Sequence, residues 1–142
     1  MEKSKKLESK IYARIIRKKT SVFLRNDFLD LGGYDQVGRA LKHLVDNDKL
    51  IRIGYGLFAK AKISSLTGET VPVFNLPSLA KEALGRLGIT VIPSMAEIAY
   101  NEGRSGQIPT GRLIGVKNRI SRKISFKEAS IKYEYTPQKR NN

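Results

Sequence analysis

The sequence predicts an α+β fold, and three observations predict it. Apolar residues recur at helical spacing in several separate stretches. Between them lie short β-branched and aromatic runs bounded by glycine, the pattern of strands and tight turns. The chain is 40% hydrophobic over 142 residues, enough to enclose a core. The expected order is a helical N-terminal unit closed by a hairpin, then a small C-terminal α+β region with two helices and a short antiparallel sheet.

Each element has its own warrant. Ser4 to Lys18 places Leu7, Ile11, Ile15 and Ile16 on one side and cations on the other, which predicts a helix. Thr20 to Leu24 reads as a short strand. Asn26 is a candidate cap for a second helix to about Leu31, and Gly32-Gly33 forces a turn. In "YDQVGRALKHL" the apolar Val37, Ala40, Leu41 and Leu44 share one face, and Gln36, Arg39, Lys42 and His43 share the other. That third helix spans roughly Asp35 to Asn47. "LIRIGYGLFAK", from Leu50 to Lys60, reads as two strands around Gly54-Tyr55-Gly56, where glycine supplies the positive φ of a hairpin turn. Helix, strand, helix, turn, helix, hairpin is the order of a winged helix–turn–helix over residues 1–62. In such a unit the third helix fits a major groove and the hairpin follows the neighbouring backbone.

Residues 63–76 contain Ser64, Ser65, Gly68 and Pro72 and read as a connector that packs against the body through Val71, Val73 and Phe74. Residues 77–136 form the expected C-terminal domain. It has a helix from Pro77 to Leu87 stopped by Gly88, and a second helix capped by Ser94 with Glu97 three residues on. Strands are expected at Arg112–Val116, Ile120–Phe126 and Ser130–Tyr135, and residues 137–142 form a frayed tail.

Composition narrows the chemistry. There is no cysteine, and His43 is the only histidine, so thiol chemistry, Cys-based or multi-His metal sites and Ser-His triads within one chain are excluded. Asp27 with Asp30, and Asp46 with Asp48, are close pairs with nothing to place them in a cleft. The chain is therefore expected to be no enzyme and to need no cofactor or metal. "MEKSKKLESK" lacks the apolar run of a signal peptide and no stretch is long enough to span a bilayer, so a cytoplasmic protein without membrane contact is expected.

Charge points to a polyanionic partner. The chain carries 27 Lys plus Arg against 13 Asp plus Glu, a net +14. Ser9 to Asn26 holds six cations and no acid, and Gly103 to Lys127 holds seven and no acid. Arginine pairs with guanine and glutamine with adenine in the major groove, so Gln36, Arg39 and Lys42 are candidate base contacts. Tyr34, Arg52, Tyr55, Lys18, Lys19 and Arg25 are candidate backbone contacts. Asp35 would be repelled by phosphate and reads as a helix cap, while His43 reads as an ordinary surface residue. Arg104, Arg112, Lys117, Arg119, Arg122 and Lys123 form a candidate second anion-binding patch. "GRSGQIPTG" is glycine-rich but lacks the phosphate-loop pattern, which speaks against a nucleotide pocket.

"VFLRNDFLDLGGYDQVGRALKHLVDNDKLIRIGYGLFAK" resembles the winged-helix segment of AbiEi-type antitoxin and regulator proteins, and in particular a small branch of uncharacterised members. "SLTGETVPV", "AYNEGRSGQIPTGRLIGV" and "RISRKI" look like motifs of that branch, and the resemblance runs from about Lys5 to Tyr135. It implies a DNA-binding autorepressor encoded beside a nucleotidyltransferase-like toxin, with operator DNA as partner. A homodimer is one arrangement open to the chain. Two readings of other classes stay open. In one, the basic C-terminal half binds an acidic toxin. In the other, the sheet binds RNA, with Tyr133 and Tyr135 available to stack on bases.

Overall fold

The computed structural model describes residues 2–135 and divides the chain into two compact units, Met1–Asn75 and Leu76–Asn142. The fold is mixed α+β. The expected tail at residues 137–142 lies outside the described residues.

The first unit begins with α1, Glu2–Arg17, which buries Ile11 and Ile15 and leaves Ile16 exposed. Strand β1, Val22–Leu24, follows. The segment read as a second α-helix capped by Asn26 is a 3₁₀ turn, Arg25–Phe28. Its cap position is Leu24, whose N–H donates to Asp27 Oδ2 at 2.8 Å. Phe28 drops from this turn into the core beside Phe23, with ring centroids 6.0 Å apart. That anchor suits a tight turn of four residues.

Helix α2, Tyr34–Asp46, carries Val37, Ala40, Leu41 and Leu44 on its buried side. They join Ile11, Ile15, Phe23, Phe28, Leu50 and Phe58 in one cluster. Burial of each large side chain there contributes about 1.5–3 kcal/mol. The cluster fixes the rotation of α2, and so decides which residues face out. Asp35, read above as a cap, stands in the first turn, where its charge suits the helix dipole. Capping falls instead to Gln36, whose Oε1 accepts from the Gly33 N–H at 3.2 Å.

The far end of α2 explains an otherwise odd acid. Asp48 sits in the left-handed region at φ 62°, with its N–H on the Val45 carbonyl at 3.1 Å and the Lys49 N–H on Leu44 at 2.9 Å. This pair of bonds closes a helix whose carbonyls would otherwise lack partners. Helix α3, Leu76–Arg86, closes the same way on Gly88, at φ 79°.

Strands β2, Leu50–Gly54, and β3, Leu57–Ile63, form an antiparallel hairpin with a register shift between Arg52 and Gly54. Strand β3 is central: β1 and β2 flank it, and its end pairs with β4, Thr70–Pro72. The stretch read as a connector therefore supplies a strand to the first unit, and Val73 N–H bonds the Lys60 carbonyl at 3.0 Å.

The second unit holds α3, Leu76–Arg86, with Leu79, Ala80, Ala83 and Leu84 buried, and the short α4, Met95–Asn101. Ser94 caps α4, accepting from the Glu97 N–H at 3.1 Å, and Met95 N–H donates to Glu134 Oε2 at 2.7 Å. Strands β5, Val91–Ile92, β6, Leu113–Val116, and β9, Lys132–Tyr135, make one sheet. Its β5–β6 pair is antiparallel but its β6–β9 pair is parallel, so the sheet is mixed where an antiparallel one was expected. Of the expected strand Ile120–Phe126, only β7, Ser125–Phe126, forms, paired with β8, Ala129–Ser130.

Candidate functional site

Helix α2 separates its polar residues into different surroundings. At 3.6 residues per turn, Arg39 and Lys42 fall opposite the buried stripe, and both are exposed. Asp35 and Asp46 share that outer face, one at each end, so the cations occupy its middle. Gln36 and His43 turn toward α1. They line a groove of about 390 Å³ with Leu7, Leu31 and Ala40, and Arg39 on the outer face borders the same groove. There His43 Nδ1 lies 3.5 Å from Glu8 Oε2. Of the three candidate base contacts, Arg39 and Lys42 thus stand on the outer face. Gln36 has its oxygen engaged in capping its own helix.

The hairpin carries Arg52 and Tyr55 at its exposed end. Arg52 Nε donates to the Gly54 carbonyl at 3.3 Å, and its guanidinium lies 5.9 Å from the Tyr55 ring. Tyr55 is 76% exposed. Lys18 and Lys19 follow α1 in an exposed loop, and the Lys18 carbonyl accepts from Lys60 Nζ.

Two arginines near α2 contrast sharply. Arg14 forms a fork on Asp30, at 2.6 and 2.8 Å, and also donates to the Asp27 carbonyl at 2.9 Å. Its hydrogen bonds to Asp30 raise the Arg14 pKa and hold the Asp30 carboxyl below its ordinary value. Arg14 is a structural brace. Arg25 has no carboxylate partner among the described residues. Its guanidinium stacks 4.1 Å over the ring of Tyr34, and its buried Nε has no hydrogen-bond acceptor. On another side it meets Gly38, where an added Cβ would come within 2.7 Å of the guanidinium carbon.

The magnitudes do not favour this arrangement on stability alone. A cation over an exposed ring contributes about 0.5–1 kcal/mol. An unsatisfied buried donor costs about 1–3 kcal/mol. A glycine inside a helix costs about 1 kcal/mol relative to alanine. The sequence signal for Gly38 is a glycine in the middle of an otherwise good helix, a flag that apolar spacing does not raise.

In the second unit every candidate cation lies in a loop. Arg104 follows α4, Arg112 and Lys117 bracket β6, and Arg119, Arg122 and Lys123 precede β7. Arg104 Nε pairs with Glu102 Oε2 at 2.8 Å, an acid one residue outside the acid-free window, so Arg104 is a compensated charge. Arg119 lies 5.2 Å from the Tyr135 ring. Tyr133 is half-buried, its hydroxyl has no partner, and burial pushes its pKa up. Tyr133 is thus placed more as a packing residue than as a platform open to bases.

Among the described residues, no cluster of three or more His, Cys, Asp or Glu is gathered as for a metal ion, and no helix is long and apolar enough to cross a membrane.

Fold and site together define a strongly basic α+β chain that presents cations on a helix, a hairpin and a set of loops. The chain belongs to the DUF6088 family, a family of unknown function, whose profile matches residues 7–141. Neither a curated protein nor a solved structure matches it.

Proposed function

We propose that the first unit is a winged helix–turn–helix that binds duplex DNA sequence-specifically, and that the protein regulates transcription. The reading extends to a cytoplasmic autorepressing antitoxin of a toxin–antitoxin or abortive-infection pair, acting on its own operator beside a nucleotidyltransferase-like toxin. It makes the protein a binder and not an enzyme. Helix α2 is the groove-reading helix and the β2–β3 hairpin is the wing.

One observation carries the reading: Arg39 and Lys42 stand at the middle of the outer face of a helix whose opposite face is locked into the core. A fixed helix with outward donors is what recognition of base edges requires. The net charge of +14 supports attraction to a polyanion at a distance. The motif resemblance to AbiEi-type regulators supports the operon context.

The test is a gel shift with the DNA immediately upstream of the protein's own coding sequence, with and without excess random duplex. Retention of the complex under excess random duplex is expected. Complete displacement would leave only non-specific binding and refute sequence reading.

A second reading rests on the loop placement of Arg112, Lys117 and Arg119. Loop cations adapt to an irregular acidic surface, as on a partner toxin. Co-purification with the product of the neighbouring gene, stable in high salt, would favour it.

A further inference from the structure

We infer that Arg25, seated by Tyr34 and Gly38, is a fixed contact for a DNA phosphodiester at the N-terminal end of α2. The inference rests on the duplex-binding reading above and assigns a residue role within it.

A free arginine explores many rotamers, and each contact it makes must overcome that freedom. Arg25 is held before any ligand arrives: the Tyr34 ring lies 4.1 Å from its guanidinium carbon, and the bare backbone of Gly38 closes another side. Its Nε is sealed from solvent while the residue as a whole is half-buried, so its remaining exposure lies on other atoms. Arg14, close by in sequence, shows the structural alternative, with its fork consumed by Asp30. Arg25 has no such partner.

Position selects the ligand chemistry. Tyr34 and Gly38 lie on the flank of α2, between the buried stripe and the outer face that carries Arg39 and Lys42. When a helix lies in a major groove, base edges face its outer side and the sugar–phosphate strands run along its flanks. A guanidinium held on the flank meets phosphate. Its planar fork matches two phosphate oxygens, and an ammonium does not reproduce that match.

Gly38 and Tyr34 are positioning residues in this account. The three atoms nearest a methyl group at position 38 all belong to the Arg25 guanidinium, so Gly38→Ala is expected to displace that group.

The experiment measures fluorescence anisotropy of the full chain with two duplexes, the upstream DNA and a random sequence, across a salt series, with thermal melting alongside. Arg25→Gln is expected to weaken both duplexes alike, by roughly tenfold, and to reduce the log–log salt slope by about 0.9. Gly38→Ala is expected to weaken binding several-fold while its melting temperature stays level or rises. Arg25→Lys is expected to retain the slope but not the affinity. If the wild type binds duplex and Arg25→Gln matches it in affinity and slope, the assignment is overturned alone. A loss confined to the upstream duplex also overturns it, because Arg25 would then read bases. A wild type that binds neither duplex overturns the underlying reading and this assignment with it.

Discussion

The two units carry comparable amounts of positive charge in opposite ways. In the first, Arg39 and Lys42 project from a thirteen-residue helix, Arg52 from a strand, and Arg25 from a 3₁₀ turn locked by a ring and a glycine. In the second, Arg112, Lys117, Arg119, Arg122 and Lys123 all sit in loops between or beside short strands. A side chain on a packed helix has its direction set by the core beneath it. A side chain on a loop does not. Recognition of particular bases needs positions held to a fraction of an ångström, whereas neutralising phosphate or an acidic surface needs only charge nearby. On the proposed reading, discrimination falls to the first unit and adaptable attraction to the second.

The sharpest way to break that contrast is to loosen the carrier of the first group. Leu41→Ala removes a fully buried side chain beneath α2 and is expected to cost about 2–5 kcal/mol in denaturant unfolding, with DNA binding lost at temperatures where the wild type binds. Retained binding in a loosened unit would show that a rigid α2 is not what positions the cations. Next in size, Arg39→Ala is expected to cost about 1–3 kcal/mol on the preferred duplex and little on random DNA. Equal losses on both would move Arg39 into the class assigned here to the loops. For the loops themselves, Arg112→Gln with Lys117→Gln is expected to lower the salt slope by at most about 0.9 per charge and to leave sequence preference unchanged. A change in preference would erase the distinction between the units.

The smallest effect concerns the brace between α1 and the turn before α2. The Asp30 carboxyl titrates below its ordinary value because Arg14 bonds its charged form. Its contribution to stability is therefore complete above the unfolded-state value near 3.9 and is lost as pH falls through the lower folded-state value. Asp30→Asn is expected to flatten a slight acid-side decline in melting temperature. An unchanged profile would show that this exposed pair contributes nothing.

Local patterns were legible and pairings across the chain were not. Apolar spacing located α1, α2, α3 and the β2–β3 hairpin close to their observed bounds, because a 3.6-residue or alternating period survives in sequence. Asn26 misled, because Asp27 and the buried Phe28 organise a tighter turn than a capped helix. The connector hid β4, whose three residues gain a ladder only beside β3. The parallel partnership of β6 and β9 depends on a crossover through residues 117–131, which no local period encodes. Charge windows failed in an instructive way. Arg14 and Arg104 each lie in a stretch without acids, and each finds its acid just outside it, at Asp30 and Glu102. The candidate residues on α2 were visible from the helical period, but the seat of Arg25 was not, since it joins positions 25, 34 and 38 through a stack and a missing side chain.

That missing side chain couples three positions across the family. A member with a larger residue where Gly38 stands has no room for a guanidinium in this seat, and so is expected to have lost the arginine or the aromatic ring as well. Substitutions at these three sites are expected to travel as a set, an inheritance imposed by one contact and detectable from sequences alone.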